Sequence, residues 1–110
     1  MSDLHDLQED LRRFAADRDW ERFHDPKNLS MAVASEAGEL LAEFRWLSSD
    51  EAASDQIPPE VKRAASLEMA DVLIFLVRLA DVLDVDLIEV AREKILINKG
   101  RFPPDSQEGQ

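Results

Sequence analysis

The sequence predicts an all-α domain of four helices in a bundle-like arrangement, and three observations support this. The 110 residues include only three glycines, which are the residues that tight turns most often require. No segment alternates apolar and polar residues as a half-buried strand does. Apolar residues instead recur every three or four positions, which is the spacing of one helix face. This length fits a single domain, which we assign to residues 1–104.

The limits of the four helices follow from residues that start or stop helices. The predicted spans are residues 3–19, 29–47, 59–83 and, after Asp84 or Asp86, up to residue 99. Ser2 and Asn28 are the expected N-caps of the first two helices, since their side chains can accept from free backbone N–H groups. Pro58-Pro59 suits the start of the third helix, and Gly100 suits the end of the fourth. We expect residues 105–110 to form a disordered tail.

The helices differ in how much of their surface is apolar. The first carries a single apolar stripe, formed by Leu4, Leu7, Leu11 and Phe14. The second half of the third helix is apolar almost all round, so it must be covered on several sides. A chain of this size can hardly provide that cover alone. We therefore expect an obligate dimer or a dimer of dimers, that is, a homodimer or a homotetramer.

Composition narrows the classes of partner. The formal net charge is −11, which argues against binding a nucleic acid through its phosphates. No window approaches the roughly 20 apolar residues of a membrane span, so we expect no membrane partner. The start of the chain, MSDLHDLQED, lacks the apolar core of a signal peptide. There is no cysteine, which suits the cytoplasmic location that we expect.

The most apolar run of the chain, LEMADVLIFLV at residues 67–77, contains two carboxylates. Glu68 and Asp71 lie three residues apart and therefore share one face of the third helix. An unpaired buried carboxylate is costly or takes up a proton. No Lys or Arg lies one turn away on that face, and Arg78 is a distant candidate partner. Glu36 and Glu39 form a matching pair on the second helix, although such a pair taken alone is usually a solvated face.

If the two helices pack side by side, these four carboxylates converge, and like charges repel unless a cation lies among them. Hard oxygen ligands without Cys or His select Mg²⁺ or Mn²⁺. Iron is disfavoured because His5 and His24 do not stand at the Glu-x-x-His spacing of di-iron bundles. Since Mg²⁺ usually binds through carboxylates and substrate phosphates together, the pattern points to a nucleotide substrate.

Other polar and aromatic residues leave two interpretations open. Lys94, Asn98 and Arg101 share one face near the end of the fourth helix, either as a clamp on phosphate oxygens or as a solvated helix end. Trp20 and Trp46 could stack on a base or pack in an interface. His24 could contact a base or cap a helix end. Phe75 could contact a base or pack in the core.

The chain resembles a known family in several segments. EAGE at residues 36–39 and EMAD at residues 68–71 resemble the E-x-x-E…E-x-x-D signature of the MazG-like all-α nucleoside triphosphate pyrophosphatases. FAADRDWERFHDPKNL, the Trp that follows EFR, and KILINKGRFP look like the dCTP pyrophosphatase branch. The resemblance covers about residues 7–104.

The resemblance implies hydrolysis between the α and β phosphates, with Mg²⁺ held by the four acids Glu36, Glu39, Glu68 and Asp71. It also implies aromatic contacts to the base from Trp20, His24, Trp46 and Phe75. Tyrosine is common at the position of Phe75, and this chain has no tyrosine. Sites in such proteins lie near a subunit interface, which again implies a dimer or a dimer of dimers.

We therefore expect a Mg²⁺-dependent enzyme that converts a nucleoside triphosphate, dCTP or a modified dCTP, to the monophosphate and pyrophosphate. Such an enzyme clears unwanted nucleotides from the pool. Glu36 or Glu39 is expected to orient or deprotonate the attacking water. Lys94 and Arg101 would stabilise the departing pyrophosphate. A pyrophosphatase of broad specificity or one for dUTP is the first alternative, and a non-catalytic helical dimer that binds a nucleotide or a protein is the second.

Overall fold

The computed structural model describes residues 3–53 and 55–104, and within them every regular element is helical. The α-helices are α1 (Asp3–Asp17), α2 (Pro26–Ala42), α3 (Pro59–Val82) and α4 (Leu87–Arg101), and a short 3₁₀ helix lies at Glu21–Phe23. The predicted all-α class with four helices is thus confirmed. The predicted N-cap Ser2 and the predicted tail 105–110 lie outside the described residues.

The helices α2 and α3 form the main packed pair, and α1 lies against α3. The fully buried apolar side chains are few and mostly small, namely Ala15, Leu29, Ala65, Val77 and Ala80. Among the described residues, α4 is not packed extensively against any of the other three helices, so the chain does not close into a complete bundle. The radius of gyration, 17.0 Å, accordingly exceeds the about 13 Å of a globular domain this long.

The start of α2 differs from the prediction. The helix begins at Pro26, and its N-cap is Asp25, whose side chain accepts from the backbone N–H of Asn28 at 2.7 Å. The predicted cap at Asn28 was therefore wrong by one turn. Pro26 keeps the residue before it out of helical conformation, and an extended residue with a short carboxylate is well suited to be an N-cap.

The end of α2 is also earlier than predicted, because the helix stops at Ala42 instead of residue 47. Turns follow as far as Trp46. Ser48 and Glu51 then bond reciprocally, since each side chain accepts from the other's backbone N–H. This local turn holds the connection that leads on toward α3.

Of the two predicted caps of α4, the structure selects Asp86, which accepts from the backbone N–H of Glu89 at 3.1 Å. Asp84 instead takes a left-handed conformation (φ 56°) just after α3, where a short polar residue tolerates it. α4 continues through Gly100 to Arg101, so the predicted end at residue 99 falls two residues short.

Large apolar side chains remain exposed on a single chain, especially along α4. Leu96 is 68% exposed, and Ile88, Val90, Ile95 and Ile97 are exposed as well. None of the helices described here is both long and apolar enough to cross a membrane. The exposed apolar residues lie on several sides of α4. In this respect α4 resembles the second half of α3, whose sequence is apolar almost all round.

Candidate active site

The packing of α2 on α3 brings three of the four predicted acids together. One carboxylate oxygen from each of Glu36, Glu68 and Asp71 lies within 4.8 Å of the other two. Glu68 and Asp71 share a face of α3 because they are three residues apart, and α2 presents Glu36 to that face. We call these three residues the acid cluster.

Glu68 contributes a buried carboxylate oxygen to the acid cluster. Its Oε2 atom is buried and has no hydrogen-bond partner. Burial raises the pKa of Glu68, and the neighbouring carboxyl of Glu36 raises it further, followed by the charges of Asp71 and Glu39. Each of these causes disfavours the ionised carboxylate, so the site is short of positive charge.

Glu39 lies outside the acid cluster, although its charge still influences Glu68. The four predicted acids are therefore placed as three that converge and one that stands nearby. Within residues 3–53 and 55–104, no Lys or Arg side chain forms an ion pair with any of them. The suggestion that Arg78 pairs with Asp71 is wrong, because Arg78 bonds to Asp81 and His24.

The acid cluster fits a divalent cation. Its donors are all carboxylate oxygens, which are the ligands of hard cations, and an orphaned buried oxygen is a group that such an ion would satisfy. Carboxylates that face each other also repel unless a positive charge lies between them. The arrangement can therefore hold a divalent metal between two helices.

Two of the predicted base-binding residues lie together. The rings of Trp20 and His24 have centroids 6.5 Å apart, and Phe14 meets Trp20 edge-on at 5.5 Å. Trp46 is 83% exposed and lies near the guanidinium of Arg45. Among the described residues, no ring pair joins Trp46 or the half-buried Phe75 to Trp20 and His24.

A second charged site, which the sequence did not predict, links α1, α3 and the segment before α2. Arg12 donates from Nε to Asp81 Oδ2 at 2.7 Å, and its Nη2 donates to the other carboxylate oxygen. Arg78, only 6% exposed, donates from Nη1 to Asp81 and from Nε to Nδ1 of His24. We call these four residues the arginine network. The hydrogen bonds from Arg12 lower the pKa of Asp81 against the opposing effect of its burial.

The predicted phosphate clamp lies on α4. Lys94 and Arg101 are exposed and Asn98 is half-buried. The guanidinium of Arg101 lies 5.0 Å from the ring centroid of Phe102. Within the part of the chain that is described, no hydrogen bond or ion pair joins these side chains to the acid cluster. Among the described residues, α4 is not packed extensively against α2 or α3, the two helices that carry the acid cluster.

Comparison with known proteins places this arrangement in a family. No protein-family profile matches the chain. It is 44% identical over 99 residues to dCTP pyrophosphatase 1 of Mus musculus and 43% identical to that of Homo sapiens, in each case over 86% of this chain. The chain spans 58% of the length of these relatives.

The fold has a close match among solved structures. The crystal structure of a pyrophosphatase from Archaeoglobus fulgidus superposes with a TM-score of 0.85 at 36% identity, covering 94% of each chain. The chain belongs to the MazG-like all-α pyrophosphatases, as the resemblance implied, and the curated relatives that it matches are dCTP pyrophosphatases.

Proposed function

We propose that this protein hydrolyses a nucleoside triphosphate between the α and β phosphates and releases the monophosphate and pyrophosphate. The preferred substrate is dCTP or a modified dCTP. The observation that carries this proposal is the acid cluster, where three carboxylates converge around a buried oxygen without a partner. Relatives that are 41–44% identical and are named dCTP pyrophosphatase 1 support the choice of base.

The cation is Mg²⁺, for which Mn²⁺ can substitute. Glu36, Glu68 and Asp71 would hold it, since an all-oxygen donor set favours these ions over zinc or iron. When bound, the cation neutralises the acids and the phosphates and makes a nearby water more acidic. The raised pKa of Glu68 makes the metal-free site prone to take up a proton, so proton and metal compete there.

Glu39 is the better placed of the two candidate bases. Glu36 belongs to the converging group, whereas Glu39 stands one helical turn away and is exposed. A carboxylate beside the acid cluster, yet outside it, is free to orient a water and accept its proton. In this assignment Glu36 binds the cation and Glu39 positions the nucleophile.

The base and the phosphates are held by other parts of the chain. Trp20, His24, Trp46 and Phe75 contact the base, and the adjacent rings of Trp20 and His24 form the first part of that surface. Lys94, Asn98 and Arg101 bind phosphate oxygens, and Arg101 is able to do so with two parallel hydrogen bonds. The positive charges of Lys94 and Arg101 are suited to stabilise the departing pyrophosphate.

The active form is a homodimer or a homotetramer. The exposed apolar side chains of α4 require cover that one chain does not provide, and self-association would also fix the position of the clamp residues. Leu96→Glu should shift the protein toward monomer in sedimentation velocity runs and reduce turnover. Lys62→Glu, which introduces the same carboxylate at an exposed position in the first turn of α3, is the control. A monomeric wild type with full activity would contradict this part of the proposal.

A panel of nucleotides tests the reaction. The purified protein is incubated with each dNTP, with dUTP and with 5-modified dCTP in the presence of Mg²⁺, and pyrophosphate and single phosphate are measured separately. We expect pyrophosphate from dCTP above all others. Equal turnover of every base would favour the broad-specificity alternative. No turnover of any nucleotide would favour a non-catalytic binding protein. The cytoplasmic location stays a prediction, which imaging of the tagged protein in cells would test.

A further inference from the structure

The arginine network ends at His24, one of the residues that we place against the base. Arg78 lies on α3 and His24 precedes α2, so their hydrogen bond joins two segments that are 54 residues apart. The bond runs from Nε of Arg78 to Nδ1 of His24 at 3.2 Å. A buried arginine at this position is unusual within the apolar half of α3.

The chemistry of this hydrogen bond determines where the proton of the histidine lies. A guanidinium only donates, so Nδ1 of His24 must accept. In the neutral ring the remaining proton is then on Nε2. His24 therefore has one N–H donor, at Nε2, and this ring lies beside the indole of Trp20.

The surroundings keep the ring neutral. Burial lowers the pKa of His24, and the positive charge of Arg78 lowers it further, whereas the charge of Glu21 opposes both. Asp81 faces Arg78 from the same helix, and Arg12 of α1 faces Asp81. Two arginines around one aspartate leave an excess positive charge next to the imidazole, which disfavours a second proton on it.

Arg78 is itself held in place. Asp81 accepts from its Nη1 at 3.3 Å, and Asp81 is fixed in turn by two hydrogen bonds from Arg12. The side chain of Asp81 is only 10% exposed, so solvent screens this pair weakly. The guanidinium of Arg78 thus has little freedom to turn away from His24.

We propose that Arg78 is a positioning residue that fixes His24 as an N–H donor at Nε2, directed at N3 of the base, and thereby selects a pyrimidine whose N3 is an acceptor. This inference rests on the proposed function. Cytosine offers acceptors at N3 and O2, whereas uracil and thymine carry an N–H at N3 that would meet the donor of His24. A donor placed against N3 therefore disfavours uracil and thymine, even though their O2 and O4 atoms accept hydrogen bonds elsewhere on the ring.

The first test measures the proton directly and needs no substrate. The chain has only two histidines, so long-range ¹H–¹⁵N spectra of the imidazoles are assigned by comparison with His24→Gln. We expect His24 of the wild type to carry its proton on Nε2 near neutral pH. Arg78→Met should shift His24 toward a mixture of tautomers and raise its pKa, and Arg13→Met, on the exposed side of α1, should change neither. A proton on Nδ1 in the wild type would overturn the proposal.

The second test measures selectivity as the ratio of kcat/KM for dCTP to that for dUTP. Loss of one hydrogen bond should lower this ratio about tenfold in Arg78→Met, with the loss mainly in KM for dCTP. Arg13→Met should keep the wild-type ratio. An active, folded Arg78→Met with unchanged selectivity would contradict this inference alone, whereas a wild type that turns over no nucleotide would contradict the proposed function.

A matched pair of variants covers the case in which Arg78→Met does not fold. The amide of glutamine places an N–H donor close to the position of Nε2, and that of asparagine places it close to Nδ1. His24→Gln should therefore retain much of the selectivity for dCTP, while His24→Asn should lose about tenfold. Equal selectivity of the two variants would rule out a donor at Nε2.

Discussion

The acid cluster and the arginine network both depend on α3, yet their charges are arranged in opposite ways. At Asp81 two arginines surround one carboxylate, and the pKa of that carboxyl is lowered. At Glu68 two further carboxylates surround the first, and its pKa is raised. The fold neutralises its own charge at one site and leaves it unbalanced at the other. The unbalanced site is the one that requires a ligand from outside the chain.

The same helix thus carries one charged site that stabilises the fold and another that is suited to bind a ligand. The arginine network joins α1 and the loop before α2 to α3, and it contributes to stability without any bound ion. The acid cluster costs stability when it is ionised without a cation, and binding of a cation or of a proton offsets that cost. Substitutions at the two sites should therefore have opposite effects on folding.

The largest effect is expected on activity at the acid cluster. Asp71→Asn should lower kcat/KM for dCTP by about 100-fold or more, since it removes one oxygen donor and one charge from the proposed metal site. Steady-state rates of pyrophosphate release measure this. Glu60→Gln, in the exposed first turn of the same helix, is the control and should retain wild-type rates. Full activity of Asp71→Asn would remove the acid cluster from the mechanism.

The next effect is on stability in the arginine network. Asp81→Asn should lower the free energy of unfolding by about 2–3 kcal/mol, because buried Arg78 loses its counter-ion. Glu9, the exposed partner of Arg12, provides the control, and Glu9→Gln should cost less than about 1 kcal/mol. Urea unfolding compares the two. Equal losses would show that burial of the pair does not matter.

The same variant has a defined pH dependence. Because the folded protein lowers the pKa of Asp81 below its ordinary 3.8, its contribution to stability is present above that pH. The contribution is lost as the pH falls through the lowered value. The wild type and Asp81→Asn should therefore differ at pH 7 and converge in strong acid. A difference that persists at low pH would contradict this origin.

The smallest effect has the opposite sign. Without metal, Glu68→Gln should raise the melting temperature at pH 7, since a neutral amide removes repulsion from the acid cluster. The folded protein raises the pKa of Glu68 above its ordinary 4.5, so the wild type is penalised only once the pH rises through and beyond that range. The advantage of the variant should vanish below pH 4.5. A lower melting temperature at pH 7 would indicate that ionised Glu68 is stabilised by a group other than a cation.

The sequence predicted the acid cluster better than the arginine network, for a physical reason. Glu68 and Asp71 stand out because charge is rare in an apolar helix, and their spacing places them on one face. Arg78 was considered only as a distant partner of Asp71, whereas it bonds to Asp81, three residues away, and to His24, 54 residues away. Arg12 lies 69 residues from Asp81, and no local pattern indicates that α1 crosses α3 at that point.

The predicted helices were correct in number and imprecise at their ends. The start of α2 was misplaced because two residues, Asp25 and Asn28, are both good caps, and Pro26 decides between them through its effect on the residue before it. The spacing of residues along α4 could not predict where this helix packs relative to the acid cluster. The spacing of Lys94, Asn98 and Arg101 gives a face of a helix, but the packing of that face depends on contacts that one chain does not make.

Thermal melting against increasing Mg²⁺ or Mn²⁺ tests most directly whether the acid cluster is unbalanced until a cation binds. The wild type should gain stability as the metal concentration rises, in proportion to the logarithm of that concentration above the dissociation constant. Glu68→Gln should start from a higher melting temperature and gain much less. A wild type that does not respond to either metal, or a variant that responds equally, would contradict the account.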